Sequence, residues 1–515
     1  MRITSLLLQI SFLSIWQTAV ISTAICQNGF NKIESYSGSK SVNFDDVLYI
    51  NNEINVRGDI YVDSLNTWGL LISRMDTNGL VNWYRVFTND SNYIITNTPS
   101  RFIRTKTKGF AIPNYLWGTG KIIFYLIDST GRQLTNQILP KFGLAVFPFD
   151  IIQVQKNFLI FGQVQKEDFN EDLFVIAVDS VGHEKWIKFY GDSLNDEIFG
   201  DVIDQNDGNF TISASIFNAK FFDEPFGQGW VRPWFLTIDT SGNIVKEWKG
   251  NKNDSRTFGG GQVYRTKKGD WIIVSTEYKD VLSAGVTDLN DAPTVSRLDS
   301  NFNLIWKTYL SDYTGMFDLI ADMEYDTSRD EIVVAGQRAV YFNPWSGAYE
   351  AWIAKLSADG QILWSVSDTS SEIMWPYADP YIGGLEIAPS GSIYAAGYLD
   401  DLHSPRRNYG YLIKVTPDGC MSTLCNTTSI NDQIQKKSHK VLVYPNPVID
   451  EIHISVNDLS GPTDFLAYDL YGQIVSKVKL RQGDNTISLD LPSGIYFYSV
   501  SKNQEIISSV KFVVR

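Results

Sequence analysis

The chain reads as an all-β protein: a seven-bladed β-propeller whose N-terminal strand closes the last blade, followed by a small C-terminal β-sandwich. Three observations lead there. A short apolar run, a tight turn and then usually a tryptophan recur seven times. The turn positions are Gly79, Gly131, Gly182, Gly242, Phe302, Gly360 and Gly419, spaced 51 to 60 residues apart. A fixed period of that length marks one supersecondary unit repeated. The runs are rich in Val, Ile, Tyr, Phe and Trp, are punctuated by Gly, Asp, Asn and Ser, and sustain no 3.6-residue apolar period beyond two turns between residues 30 and 425.

Each unit resolves into four strands, A to D. The C–turn–D segment is clearest in LLISRMDTNGLVNWYRVF from Leu70, FVIAVDSVGHEKWIKFYG from Phe174 and WIAKLSADGQILWSV from Trp352. Upstream lies strand B, as in GDWIIVST from Gly269, and before it strand A, as in DLIADMEYD from Asp318. Four-stranded units repeated radially are propeller blades. Glycine near the end of the C–D turn takes a positive φ at negligible steric cost, and the tryptophan that follows lies flat between neighbouring blades. Unit four departs, with Lys246 at the tryptophan position and Trp248 two residues on; unit two carries Thr135 there. Unit seven lacks strand D. FNKIESYSG from Phe30 resembles IWKTYLSDYTG, so the N-terminal segment is expected to supply that strand and remove two exposed edges.

The segment MRITSLLLQISFLSIWQTAVISTAICQ has one early Arg, an apolar stretch and small residues before Gln27, the pattern of a cleaved signal peptide spanning 1–26. A lipid anchor on Cys26 is disfavoured by the bulky Ile25, and a spanning helix by Gln9 and Gln17. No later segment is apolar for long enough to span a membrane. The propeller is expected over 27–425, a polar linker over 426–440 and the sandwich over 441–515. The net charge of −14, spread along the chain, argues against nucleic acid as a partner. Cys420 and Cys425 read as a disulfide closing a small loop in an exported protein; a metal pair is the alternative, with no His or further Cys nearby.

The C-terminal segment carries YPNPV (Tyr444 to Val448), DLYGQ (Asp469 to Gln473), LPSGIYFYSV (Leu491 to Val500) and a closing KFVVR (Lys511 to Arg515). In order and position these closely resemble the type A C-terminal sorting domain of the type IX secretion system of Bacteroidota. That resemblance implies an address read by the secretion machinery, with Pro445, Asn446, Pro447, Gly472, Gly494 and Lys511 on the matching motifs. It implies passage through the periplasm to the cell surface or medium, and no enzymatic activity. The repeats resemble quinoprotein-like and delta-60-type propellers. VDSVGHEKW (Val178 to Trp186) matches the quinoprotein docking motif only loosely, its turn being one residue shorter, so the propeller shape is carried over and the quinone is not. No cofactor and no metal are expected.

In a propeller, B–C and D–A connections share one face. Here they are long and aromatic, which makes Trp117, Trp230, Trp345, Trp375, Tyr377 and Tyr381 the candidate ligand contacts, suited to stacking on sugars or anchoring a protein. The competing role is to plug the channel or cap blade edges, and Trp234 and Trp352, which begin strands, are read as structural. No HExxH, GxSxG or phosphate loop is present, and the chain has 4 His. GDSLNDE (Gly191 to Glu197) has acidic calcium-loop character but lacks EF-hand spacing, so a turn explains it more simply. The leading expectation is a non-enzymatic glycan- or protein-binding module. The alternative is a glycan hydrolase or lyase using Asp223, Glu224, Asp379 and Asp401 on the same face.

Overall fold

The computed structural model describes residues 29–88, 100–167, 169–218, 231–251, 261–283, 286–310, 319–343, 346–368, 378–401 and 407–421. Towards the C-terminus it describes 441–444, 451–456, 463–469, 473–481, 483–489, 491–492, 494–502 and 505–514. The signal segment, the linker, Pro445 to Pro447 and Gly472 lie outside these. The chain divides into two compact units, 1–425 and 426–515. Among the described residues both are all-β and contain no helix, and no segment is a helix able to cross a membrane.

The first unit repeats one four-stranded antiparallel sheet. Sheets one to six span 39–87, 103–138, 145–190, 195–249, 263–309 and 319–368, each ordered A–B–C–D along the chain. A seventh sheet takes Ala378–Ile387, Ile393–Asp401 and Arg407–Val415 in order, and its fourth strand is Phe30–Glu34, paired Lys32 to Leu412. Strand A of sheet two is only Ile103–Arg104, the shortest among the described strands of this unit. In sheet five, B and C extend to Trp271–Ser283 and Val286–Leu298, a long hairpin at the B–C end that the sequence did not single out.

Adjacent sheets bury their apolar faces against each other. Leu159, Phe161 and Leu173 of sheet three share a core with Phe199, Ile212 and Leu236 of sheet four. Equivalent clusters join the other consecutive sheets, and Val42, Phe44 and Val56 of sheet one pack with Tyr394, Ala396 and Leu412 of sheet seven. Alternation along each strand puts every second side chain into one of these seams.

The C–D turns explain the tryptophan period. In five of them the first residue is Asp, and one carboxylate oxygen accepts the backbone N–H groups two and four residues on, as Asp239 does from Ser241 and Asn243. Those bonds hold the Asp239 carboxyl below its ordinary value. The turn glycine then takes positive φ, 83° at Gly131 and 82° at Gly360. It rests on the outer-strand ring of the preceding sheet. A Cβ at Gly131 would lie 2.8 Å from the Trp83 ring, and one at Gly360 2.7 Å from Trp306. The Trp306 and Trp364 indoles donate to Ala358 and Pro417 carbonyls in the next sheet's turn at 3.0 and 3.1 Å. Where unit two has Thr135, its hydroxyl donates to the Val181 carbonyl at 3.3 Å instead.

Phe302 is the exception. It holds the glycine position of sheet five at φ 65°, a conformation costing an ordinary side chain about 1–2 kcal/mol. Its ring stacks on Trp248 at 4.5 Å and 19°. The two oddities read from the sequence, a missing glycine and a displaced tryptophan, are therefore one packing unit.

The second unit has two sheets, one of three strands over Val441–Tyr444, Glu451–Val456 and Gly483–Ser488, and one of four. The four-stranded sheet runs Ile474–Leu480, Thr463–Tyr468, Gly494–Lys502, Glu505–Val514 in spatial order. Ile452 and Ile487 of the first sheet share a core with Phe465, Tyr498 and Phe512 of the second.

These contacts set a test. Gly131 and Gly208 both have positive φ, but a Cβ at Gly208 meets nothing within 4 Å. Gly208→Ala is expected to destabilise by about 1 kcal/mol and Gly131→Ala by about 2–3 kcal/mol, because only the latter adds a ring clash to backbone strain. Denaturant midpoints with unchanged slopes would show it; equal losses would contradict the docking account.

Candidate functional site

The first strands of the sheets converge chemically on one arginine. Strand A carries a β-bulge in sheets one, three, four, six and seven, ending at Asp46, Asp150, Asp201, Asp322 and Gly384. A bulge re-aims the side chain and frees backbone groups. Each of the four aspartates uses one oxygen on the next residue's own N–H: Val47 at 2.8 Å, Ile151 at 2.6, Val202 at 2.9 and Met323 at 2.9. Three use the other oxygen on the following sheet. Asp46 accepts from Phe102 N at 3.0 Å, Asp201 from Val263 N at 3.0 and Asp322 from Leu385 N at 2.7.

Sheet two contributes Arg101 in place of an acid. Its guanidinium lies 2.8 Å from Asp322, 3.6 Å from Asp201 and 3.9 Å from Asp150, while its backbone N–H donates to Phe149 O at 2.9 Å. The arginine side chain is 35% exposed but the three carboxylates are 5 to 9% exposed. Gln262 of sheet five donates its amide to Asp322 at 2.6 Å and to Ala321 O at 3.0 Å. Two positions beyond Asp322 and Gly384, on the same side of their strands, stand Glu324 and Glu386.

One guanidinium thus serves six carboxyls. Burial pushes Asp46 and Asp150 up to about 7, with Arg101 opposing and Asp322 or Asp201 reinforcing. Desolvation raises Asp201 and Asp322 as well, again against Arg101. Glu324 reaches about 8, through burial and then Asp322, and burial and then Glu324 hold Glu386 well above the ordinary carboxylate range. Near neutral pH the cluster holds protons as well as charge. Chemically it stitches sheets together and is a store of titratable protons.

Of the sequence-selected contacts, two lie among the described residues. Trp117 is 60% exposed in the B–C turn of sheet two. Tyr381 is partly buried and stacks on its cross-strand neighbour Tyr398 at 4.7 Å and 14°. Trp230, Trp345, Trp375 and Tyr377 lie outside the described residues, as do Asp223, Glu224 and Cys425. Cys420 is disulfide-bonded. Trp234 and Trp352 are buried, with indoles donating to Glu247 at 2.9 Å and Ser365 at 2.7 Å. Asp379 and Asp401 belong to paired strands, but Asp379 faces Asp400 and Asp401 faces Ala378. The pleat therefore puts Asp379 and Asp401 on opposite sides of the sheet, and Asp400 is the aspartate sharing a side with Asp379.

In GDSLNDE, Asp192 accepts from Leu194 N at 2.8 Å and the Asn195 amide at 2.9 Å, a turn held by its own side chains. No group of acidic, His or Cys side chains arranged to hold a metal occurs among the described residues. The strand-A aspartates were missed because each is a lone acid inside an apolar run: FDDVL, FDIIQ, GDVID, ADMEY. Their shared place in strand A was the available signal.

Residues 442–515 match the family described as the secretion system C-terminal sorting domain. This is the sorting tail of the type IX system, and it indicates export to the cell surface or medium through that machinery. Gly494 lies at the start of its strand and Lys511 within the last one. No curated protein sequence matches the chain. Solved structures similar to the first unit include an ulvan lyase of a new polysaccharide lyase family, at 9% identity and TM-score 0.46, covering 76% of this chain and 97% of that one. Others are the β-propeller domain of the trilobed protease of Pyrococcus furiosus, 10% identical with TM-score 0.41 over 75% and 99%, and an α-L-arabinanase of Penicillium chrysogenum, 10% identical with TM-score 0.39 over 75% and 97%.

The cluster fixes a pH dependence. Unfolded carboxyls release protons near pH 4, whereas the folded ones keep theirs to about 7 for Asp46 and Asp150 and about 8 for Glu324. The folded state therefore binds more protons between these limits, and stability falls as pH rises from about 4 to 8. Thermal midpoints of the first unit are expected to drop by ~5 °C between pH 5.5 and 8.5. Arg101→Gln should cost ~2 kcal/mol and steepen that slope, since it removes the cation opposing the repulsion. A flat or rising profile would contradict the assignment.

Proposed function

We propose that the chain is a secreted seven-bladed propeller that binds a glycan or protein through its B–C and D–A loops, delivered by its sorting tail. The N-terminal signal, 1–26, takes it to the periplasm; a Bacteroidota source accords with the tail. Ring closure is supported by a bond that recurs from seam to seam. A basic residue of strand C donates to a carbonyl in the next sheet's C–D turn: Arg297 to Ala358 at 2.9 Å, Lys355 to Pro417 at 3.4 Å, and Lys414 of sheet seven to Thr77 of sheet one at 3.2 Å. The N-terminal strand also takes the tryptophan's part, because a Cβ at Gly79 would lie 3.0 Å from the Phe30 ring.

Trp117 carries the binding reading. It is a large aromatic held in solvent by a turn with Gly118 and Gly120 at positive φ, with its face available for stacking. The purified full chain on a glycan array is expected to retain a set of ligands that Trp117→Ala loses by about tenfold in affinity. Silence on glycans together with no pull-down of a surface protein would sink this reading.

A second reading, glycan hydrolysis or lysis, draws on Asp379 and Asp400, which face each other on paired strands. It expects the release of reducing ends from a polysaccharide, abolished in Asp400→Asn with the fold intact. No release from any acidic or neutral polysaccharide would remove it.

A further inference from the structure

Two seams depart from the glycine-on-ring arrangement: between sheets two and three only the ring is replaced, by Thr135, whereas between sheets four and five both partners are. In five seams a turn glycine sits on a ring of the preceding outer strand: Gly79 on Phe30, Gly131 on Trp83, Gly242 on Trp186, Gly360 on Trp306 and Gly419 on Trp364. Between sheets four and five Lys246 occupies the place of the ring and Phe302 the place of the glycine, at φ 65°. Nothing about closing the seam requires this exchange, since a turn glycine on a ring, tryptophan in four cases and Phe30 in the fifth, closes five other seams. Backbone strain retained at one copy of a repeat points to use of that copy.

A cavity of about 230 Å³ lies at this seam, on the side of the sheets where the C–D turns lie, and both Lys246 and Phe302 line it. Its inner wall is aromatic. Phe302 stacks on Trp248 at 4.5 Å and on Trp271 at 5.5 Å and 14°, with Phe235 tilted against it at 4.7 Å. Its rim is cationic and polar. Lys246 and Arg265 line it, with Asn209, Thr237 and Ser300 between them, and no acidic side chain does. Arg265 lies over the Trp271 ring at 5.3 Å and is hydrogen-bonded to Gln205. Lys246 forms no ion pair among the described residues. On a chain of net charge −14, an acid-free pocket with two cations is selective for an anion. Aromatic faces beside amide and hydroxyl groups suit a ring with an apolar face and hydroxyl edges.

We propose that this cavity binds an anionic pyranose, a sugar ring bearing a carboxylate or sulfate. The ring packs against the aromatic wall while Lys246 and Arg265 hold the anion. The site is on the side of the sheets opposite the B–C loops and stands independently of the loop-face reading.

The test is tryptophan fluorescence titration of the full chain with D-glucuronate, glucose 6-sulfate, D-glucose and inorganic sulfate, since Trp248 and Trp271 report occupancy directly. Both anionic sugars are expected to bind about tenfold or more tightly than glucose and than sulfate alone. In Lys246→Gln/Arg265→Gln, both exposed, that preference should collapse towards equality with the thermal midpoint unchanged. Trp117→Ala should leave the titration as it is, which separates this site from the loop face. Equal binding of glucose, equal binding of bare sulfate, no response to any probe, or a preference surviving in the double variant would each overturn the proposal.

Discussion

The architecture of the first unit depends on a carboxylate that bonds in two directions. At the bulge of strand A, Asp46, Asp201 and Asp322 each give one oxygen to their own strand and the other to a backbone N–H of the next sheet. Seam packing alone is non-directional and would let sheets slide. A directional acceptor aimed at one backbone amide fixes the register between sheets. The arrangement concentrates negative charge, and Arg101 is what makes that concentration tolerable. Sheet seven needs no acid: its Gly383 and Gly384 let the chain of sheet one approach so closely that a Cβ would fall 2.5 Å from the Asp45 carbonyl oxygen and 2.6 Å from the Asp46 Cα.

Most seams are also held a second way, by a turn glycine against a ring of the preceding sheet's fourth strand. Inner carboxylates and outer rings are thus separate devices acting on the same interface. That separation explains how one outer device was remodelled at Lys246 and Phe302 while the inner bond from Asp201 to Val263 was retained. One contact of a repeated seam can vary when another contact secures the same two sheets.

The repeat, the strand identities and the sorting motifs were legible because each leaves a periodic or ordered trace. A glycine at positive φ followed by a tryptophan is such a trace, and six of the seven turns carry the glycine. The strand-A carboxylate cluster was not legible. A single aspartate in an apolar run looks like surface alternation, and only the bulge shows that it turns inward. Arg101 was harder still, because strand A of sheet two is two residues long and gives no apolar run to anchor it. Asp400 was passed over for Asp401 because pairing register, which decides the side of the sheet, is absent from the sequence. Phe302 was visible as an anomaly, but its partnership with Trp248 depends on packing across 54 residues of chain.

The chain divides into a sorting tail and a unit of repeated sheets. The tail, 442–515, accounts for where the chain goes, and its core is self-contained. The first unit, built of repeated sheets, carries the loops and seams to which binding is proposed. Residue-level hydrogen exchange tests the bond between those sheets at its source. The amides of Phe102, Val263 and Leu385, bonded to the preceding sheet's aspartate, are expected to exchange as slowly as central-strand amides such as those of Ile160 and Val334, opening together with them. Exchange at those three sites as fast as at exposed turn residues would show that the carboxylate stitch does not hold the sheets, and the account built on it would fail.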